Sequence, residues 1–326
     1  MNSENVNDII PLVSICCITY NHEKFISDAI EGFLMQETNF RYEIIIHDDA
    51  STDNTAKIIE QYAAGNPVLI FPVLQTENKY SQGIKPLANF VLPRARGSYI
   101  ALCEGDDYWG DPLKLQKQVD FLEKNTDFSL CVSGFMSNNI HTNRKRINIT
   151  VPPGVKLTGQ GYEFSLMDTM GRWLTKTLTA VFRNYPGLGG HLVQYKHGVD
   201  INLFYHILKN GNGFYMTEVT GVYRIHEGGV FSMKHDWDMI INRNYKIYKE
   251  IYLLNKDEYS RICYLNHILA LLNTSIHRYI RDEAAKSNFF MLFFSAIKLL
   301  RTGKEAGRLI SLFFKRRQSE YYILPH

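Results

Sequence analysis

An apolar run that ends in clustered carboxylates constrains this chain more than any other feature. Tyr99-Ile100-Ala101-Leu102 reads as a buried strand and leads directly into Cys103-Glu104-Gly105-Asp106-Asp107-Tyr108-Trp109. Carboxylates packed this closely repel one another, and a cation, or a ligand carrying one, relieves the repulsion. A metal-bound diphosphate meets that requirement.

The plan occurs twice. Glu43-Ile44-Ile45-Ile46 is followed by His47-Asp48-Asp49-Ala50-Ser51-Thr52-Asp53, so a second apolar strand delivers paired aspartates to a turn. In open parallel sheets ligands bind beyond the carboxyl ends of the strands, and both turns belong at that edge.

The 326 residues can bury a large core as one domain with an appendage. A hydrophobic content of 45% with 21% charged residues excludes wholesale disorder. No uninterrupted apolar stretch approaches the roughly 20 residues a membrane-spanning helix needs. The start, Met1 to Asp8, lacks the basic and apolar regions of a secretory signal, which leads to the expectation of a cytoplasmic protein. Cys16, Cys17, Cys103, Cys131 and Cys263 are odd in number and show no CxxC spacing, so buried thiols are expected rather than a zinc site or a disulfide frame.

Strand and helix patterns alternate along the first part of the chain. Val13 to Thr19 is a β-rich run, and Phe25, Ile26, Ala29, Ile30, Phe33 and Leu34 then line one helical face. Ile44 to His47 precedes a helix capped at Ser51 or Thr52 and stopped at Gly65. Val68 to Leu74 precedes a polar loop and a helix predicted over Pro86 to Arg96. A helix opening at Asp111-Pro112 and a strand over Phe128 to Phe135 continue the rhythm, which predicts a mostly parallel, Rossmann-like α/β sheet flanked by helices. Loops and short strands fill Met136 to Gly171, where an acceptor could be gripped. Leu178 to Phe182 reads as a strand, Val199 to Leu208 as a helix and Gly213 to Arg224 as strands. The expected organisation is an α/β domain over 1–233 and a helical region over 234–326.

The net charge is only +3, but seven Lys and Arg crowd between Lys298 and Arg317 against Glu305 alone. Phe289, Phe290, Phe293, Phe294, Ile297 and Leu300 recur there at helical spacing, and Phe313 and Phe314 precede Lys315-Arg316-Arg317. Such a stretch suits peripheral contact with a membrane surface, or equally a core-facing helix with solvated basic residues.

Ser14-Ile15 to Tyr20-Asn21, Gln36, Glu43 to Asp53, Gly97 to Ile100 and Glu104-Gly105-Asp106-Asp107 together resemble the family 2 glycosyltransferases. The resemblance spans about the first 135 residues in consecutive order and extends more loosely to Tyr223-Arg224-Ile225-His226, leaving the helical tail outside it. It implies a GT-A fold and an inverting transferase that uses a nucleotide sugar, expected to be a UDP-sugar. The acceptor would be a glycan or lipid-linked oligosaccharide of a surface polysaccharide.

The resemblance also implies roles. Asp48 or Asp49 would face the nucleoside base, with Thr19, Tyr20 and Asn21 lining its pocket, although the pair could merely form an Asx turn before the next helix. Glu104 and Asp106 match the two positions of a DxD motif, with Glu in place of the usual first Asp. Asp106 is then the implied ligand of Mg²⁺ or Mn²⁺, with Asp107 as a second ligand or a support of the loop. The metal would offset charge on the leaving nucleoside diphosphate. Asp200 is the candidate catalytic base, with Asp168 in reserve, and either could instead cap a helix. Arg224 and His226 match a late basic motif that touches diphosphate or metal. Asn78, Lys79 and Lys85 lie where relatives approach the phosphates. Trp109 and Trp173 could each stack on a sugar or fill the core.

Two other readings stay open. A non-catalytic nucleotide-sugar or glycan binder could retain the same fold, given Glu104. A nucleic-acid binder could use the basic tail, but no basic-aromatic motif accompanies it, so no nucleic-acid partner is expected. A dehydrogenase is not expected, because no G-x-G-x-x-G follows the first strand.

Overall fold

The computed structural model describes residues 10–159, 161–198, 200–229, 237–275 and 283–314. The basic run Lys315-Arg316-Arg317 lies outside the described residues.

The order is β1 (Val13–Thr19), α1 (Ile26–Leu34), β2 (Tyr42–Asp48), α2 (Thr55–Gly65), β3 (Ile70–Leu74), β4 (Tyr99–Leu102), β5 (Tyr108–Trp109), α3 (Lys114–Lys124) and β6 (Phe128–Asn139). It continues through β7 (Arg144–Asn148), β8 (Gly161–Phe164), β9 (Val181–Arg183), α4 (Leu188–Val193), α5 (Asp200–Leu208) and β10 (Asn212–Ile225). Helices α6 (Trp237–Asn255), α7 (Glu258–Ser275), α8 (Glu283–Leu299) and α9 (Gly303–Phe314) follow.

The described strands form one sheet in the order β3-β2-β1-β4-β9-β6-β10-β5, with β7 beside β6 and β8 beside β10. Strands β3, β2, β1 and β4 are mutually parallel, and so are β6 and β10. Successive side chains of a strand face opposite sides. Cys16 and Ile45 therefore join the core that includes Leu87, Val91 and Phe182, while Ile15, Cys17, Ile44 and Ile46 join the one that includes Phe33, Leu115 and Leu122. Apolar burial on both faces explains why these strands read as continuous hydrophobic runs.

Several local expectations are corrected. The helix expected over Pro86 to Arg96 is a five-residue π turn, Leu87–Val91, followed by a 3-10 turn, Leu92–Arg94. Pro93 cannot donate a helical hydrogen bond, so a regular helix cannot run through it. Helix α2 starts at Thr55 rather than at Ser51 or Thr52, and Asp53 Oδ1 accepts the Thr55 N–H at 2.9 Å. The strand expected from Leu178 is delayed by a 3-10 turn, Thr177–Thr179, and β9 then pairs antiparallel with both β4 and β6. Where strands were expected over Gly213 to Arg224, a single strand, β10, absorbs irregular register between Met216 and Gly221.

By its contacts the chain separates into two compact units. The first is the α/β body. The second comprises the C-terminal helices with Met170–Arg172 and Tyr195–Gly198. Inside the second unit, Leu265, Ile268, Leu272, Leu292 and Ala296 form the core. Buried Arg261 bonds Glu258, Glu305 and the Leu299 carbonyl there. No helix among the described residues is long and apolar enough to cross a membrane.

Candidate active site

The end of β1 is the hinge of the site. The Thr19 carbonyl accepts the Asp49 N–H at 3.0 Å, and the Ile18 carbonyl accepts the Gly105 N–H at 3.0 Å. Strand β1 lies between β2 and β4, so the two acidic turns leave the sheet on either side of one strand end. The imidazole of His22, in the loop after β1, feels the charges of both Asp106 and Asp48.

Hydrogen bonds stitch the β1–α1 loop to the first acidic turn. Asn21, with φ +56, accepts the Thr52 N–H through Oδ1 at 2.8 Å, and its own N–H reaches Ser51 Oγ at 2.8 Å. The His22 N–H reaches Thr55 Oγ1 at 2.8 Å, and the Glu23 N–H reaches Asp53 Oδ2 at 3.1 Å. Asp48 and Asp49 are both buried. Asp48 Oδ2 accepts the Ser51 N–H at 2.9 Å, and its Oδ1 accepts the Ser51 hydroxyl, so the Asx turn is present. Asp49 accepts the N–H groups of Lys79 and Tyr80 at 2.9 and 3.0 Å and thereby anchors the polar loop. Each of these oxygens keeps one lone pair. Tyr20 is exposed beside the pair.

The second turn is tied to the late basic motif by pairing of β5 with β10, Tyr108 facing Val222. Asp106 Oδ2 lies 3.1 Å from His226 Nε2 and 3.8 Å from His22 Nε2. Burial pushes the Asp106 carboxyl up, but the His226 bond and the two histidine charges outweigh it and hold the group below its ordinary range. Asp107 behaves oppositely. It is buried, its Oδ1 accepts the Arg224 N–H at 2.8 Å, and burial followed by the charges of Asp106 and Glu104 holds its carboxyl well above the usual range. Its contacts support the loop. Glu104 is pushed up to about 7, first by burial and then by the charge of Asp200, which opens α5.

Other expected residues are committed elsewhere. Arg224 is 7% exposed, donates to the Asp106 carbonyl at 2.9 Å, pairs with Asp28 and lies 4.3 Å from the Tyr108 ring centroid. That guanidinium pins the turn. Lys85 is buried, with Nζ on the Leu192 carbonyl at 3.1 Å, rather than displayed on a loop. Asn78 Oδ1 caps its own turn by accepting the Ser81 N–H at 2.7 Å. Asp168 is exposed and caps a turn through the Ser165 N–H and hydroxyl. Trp109 is core, with its indole N–H on the Leu178 carbonyl at 2.8 Å and its ring edge-on to Phe33, whereas Trp173 is exposed.

Buried Thr19 Oγ1, His22 Nδ1 and Glu104 Oε2 have no hydrogen-bond partner among the described residues. Orphaned polar atoms are rare in folded interiors, and these three lie at or just beyond the ends of β1 and β4. Residues 14–185 match the family described as Glycosyl transferase family 2. The chain belongs to that family.

An uncharacterised protein of Mycobacterium tuberculosis (strain ATCC 25618 / H37Rv) is 51% identical over 121 residues, which make up 36% of this chain and 34% of that one. The chain thus matches about a third of the length of that relative. The UDP-Glc:alpha-D-GlcNAc-diphosphoundecaprenol beta-1,3-glucosyltransferase WfaP of Escherichia coli is 28% identical over 227 residues, 68% of this chain and 81% of that one. Among solved structures, S. aureus TarS 1-349 in complex with UDP-GlcNAc superposes with a TM-score of 0.60 at 18% identity, covering 92% of this chain and 83% of that one. The fold of this family 2 chain is GT-A.

Among the described residues no group of three or more His, Cys, Asp and Glu side chains is set around a common point for an ion. Asp106 and His226 nevertheless present one carboxylate oxygen and one imidazole nitrogen 3.1 Å apart. A small hard cation commonly takes one or two protein ligands and completes its shell with phosphate oxygens and water. The pair fits an ion held jointly with a diphosphate. His22 and Asp53 went unnoticed in the sequence, because what marks them is contact with residues far away along the chain.

Proposed function

We propose that this chain transfers a sugar from a nucleoside-diphosphate sugar of the UDP class to a glycan or lipid-linked oligosaccharide acceptor in surface polysaccharide assembly. The observation that carries the reading is the pair of hydrogen bonds from Asp49 N–H and Gly105 N–H to consecutive carbonyls at the end of β1. They bring a base-reading turn and a diphosphate-reading turn within the span of one nucleotide. The free lone pairs of Asp48 and Asp49 suit the N3–H of uracil, and exposed Tyr20 supplies a face for the ring.

Asp106 and His226 would hold Mg²⁺ or Mn²⁺, which when bound neutralises charge on the departing diphosphate. Glu104 Oε2 and Thr19 Oγ1 would take the hydroxyls and oxygens that relieve their orphaned state. Asp200, beside Glu104, would accept the proton of the acceptor hydroxyl as its oxygen attacks the anomeric carbon. Such a base contributes typically about 10²–10⁴ in rate. A single displacement inverts the anomeric configuration. WfaP, whose name specifies UDP-Glc and a diphosphoundecaprenol-linked acceptor, supports the substrate classes.

A lipid-linked acceptor would be met at a membrane surface. Helix α8 exposes Phe290, Met291, Phe294 and Ile297 on the side away from its buried Leu292, Ala296 and Leu299. Lys298, Arg301 and Lys304 are exposed at the end of that stripe, an arrangement that fits peripheral contact with anionic lipid. The enzymatic reading is tested by incubating the chain with UDP-sugars, Mn²⁺ and lipid-linked glycan acceptors. Transfer that Asp106→Asn and Asp200→Asn both abolish supports it, and full transfer by either variant overturns the role given to that residue.

A further inference from the structure

Lys176 precedes the 3-10 turn Thr177–Thr179, and its Nζ lies 3.5 Å from the centroid of the Tyr223 ring. Tyr223 is the neighbour of Arg224 on β10, so this ammonium is carried to the strand that buttresses the second acidic turn. Glu104 and Asp107 are near enough to feel its charge. Yet among the described residues no carboxylate stands within ion-pairing distance of Nζ and no hydrogen bond reaches it, the Tyr223 ring being its recorded contact.

An ammonium has three donors and no acceptor, and a half-buried one normally finds an anionic oxygen. An aromatic face steadies the cation without cancelling its charge. Lys176 is therefore kept near carboxylates that it does not neutralise, with its donors still open to an incoming anion. Lysine suits phosphate as a compact point charge. Asp106 lies on that turn and His226 directly follows β10, so a diphosphate held by an ion there would find Lys176 as a second cation.

We propose that Lys176 binds a diphosphate ester at the second acidic turn. The inference rests on the nucleotide-sugar reading for the location of the ligand. The diphosphate could belong to the nucleotide donor or to a lipid-linked acceptor, and the chemistry of recognition is the same for both.

The test is calorimetric titration of the full chain and its Lys176→Met and Lys176→Arg variants with UDP, uridine and farnesyl diphosphate, each with Mn²⁺. Lys176→Met should weaken UDP binding by about tenfold or more, as loss of one charge-assisted hydrogen bond does, while uridine affinity stays unchanged and Lys176→Arg recovers most of the loss. A loss confined to farnesyl diphosphate assigns the residue to the acceptor. Unchanged affinity for both diphosphates overturns the proposal, and so does an equal loss for UDP and uridine, which would mark a structural lysine. An unsubstituted chain that binds neither UDP nor uridine contradicts the nucleotide-sugar reading itself, whereas Lys176-dependent binding of farnesyl diphosphate would still uphold this one.

Discussion

Gly105 lies so close to Thr19 that a Cβ added to it would stand 2.6 Å from Thr19 Oγ1 and 2.7 Å from Thr19 Cβ. Thr19 is short, β-branched and buried at the end of β1, so it has no flexible tip to swing aside. Glycine is thus required between Glu104 and Asp106 because the two acidic turns share one strand end.

Gly105→Ala should push the second turn off β1. The expected result is a loss of about 1–3 kcal/mol in stability, the usual cost of overpacking, together with loss of UDP binding. Urea unfolding and calorimetry of the variant check both. Unaltered UDP affinity would mean that the turn does not need its place against Thr19.

Ala50 carries the opposite defect. Its φ of +60 places an alanine in the left-handed region, immediately after Asp48 and Asp49. That conformation costs a non-glycine residue roughly 1–2 kcal/mol, part of which glycine gives back through its freer unfolded chain. Ala50→Gly should therefore raise stability by up to about 1 kcal/mol and leave UDP affinity intact, as measured by thermal unfolding and calorimetry.

The alternation of strands and helices was legible because β1, β2 and β4 bury both faces and so read as unbroken apolar runs. Both acidic turns were legible for the same reason, since carboxylates stand out at the ends of such runs. The antiparallel insertion of β9 between β4 and β6 was not, because the three residues Val181–Arg183 carry no local mark of their partners. Neither was the commitment of Arg224 to Asp28 and Tyr108, or the burial of Lys85, for the sequence shows a charge but not what surrounds it. Bonds such as Asn21 to Thr52 join residues about thirty positions apart and leave no periodic trace.

Lys114 gives stability a pH dependence. It is fully buried, donates to Gln118 Oε1 at 2.6 Å and lies 4.4 Å from the Trp109 ring centroid, and burial pushes its amine down to about 7. The unfolded chain keeps this proton up to about 10.4. Between those values the unfolded state binds more protons than the folded state, so this group makes stability rise with pH across the window and contributes no slope below it. One proton limits the slope to about 1.4 kcal/mol per pH unit. The difference in urea-unfolding free energy between the parent chain and Lys114→Met should follow that course from pH 7 to pH 10. A flat difference would show that the amine is not held neutral in the fold.

The exposed stripe of α8 should be separable from the nucleotide site. Replacing Phe294 and Ile297 together with serine removes apolar area that is 57% and 44% exposed in the folded chain. Sedimentation with anionic vesicles should then fall by about tenfold or more, since burying each such side chain in lipid is worth on the order of 1 kcal/mol. UDP affinity should not change. Equal binding of both proteins to vesicles would remove α8 from any membrane contact.

The most direct measurement is a crystal structure of the chain with UDP and Mn²⁺, read by the anomalous signal of the metal. The expected result is one manganese peak bonded to Asp106, to His226 and to the diphosphate, with the uracil ring beside Asp48, Asp49 and Tyr20. Nucleotide bound away from the end of β1, or spanning only one of the two acidic turns, would contradict the shared site.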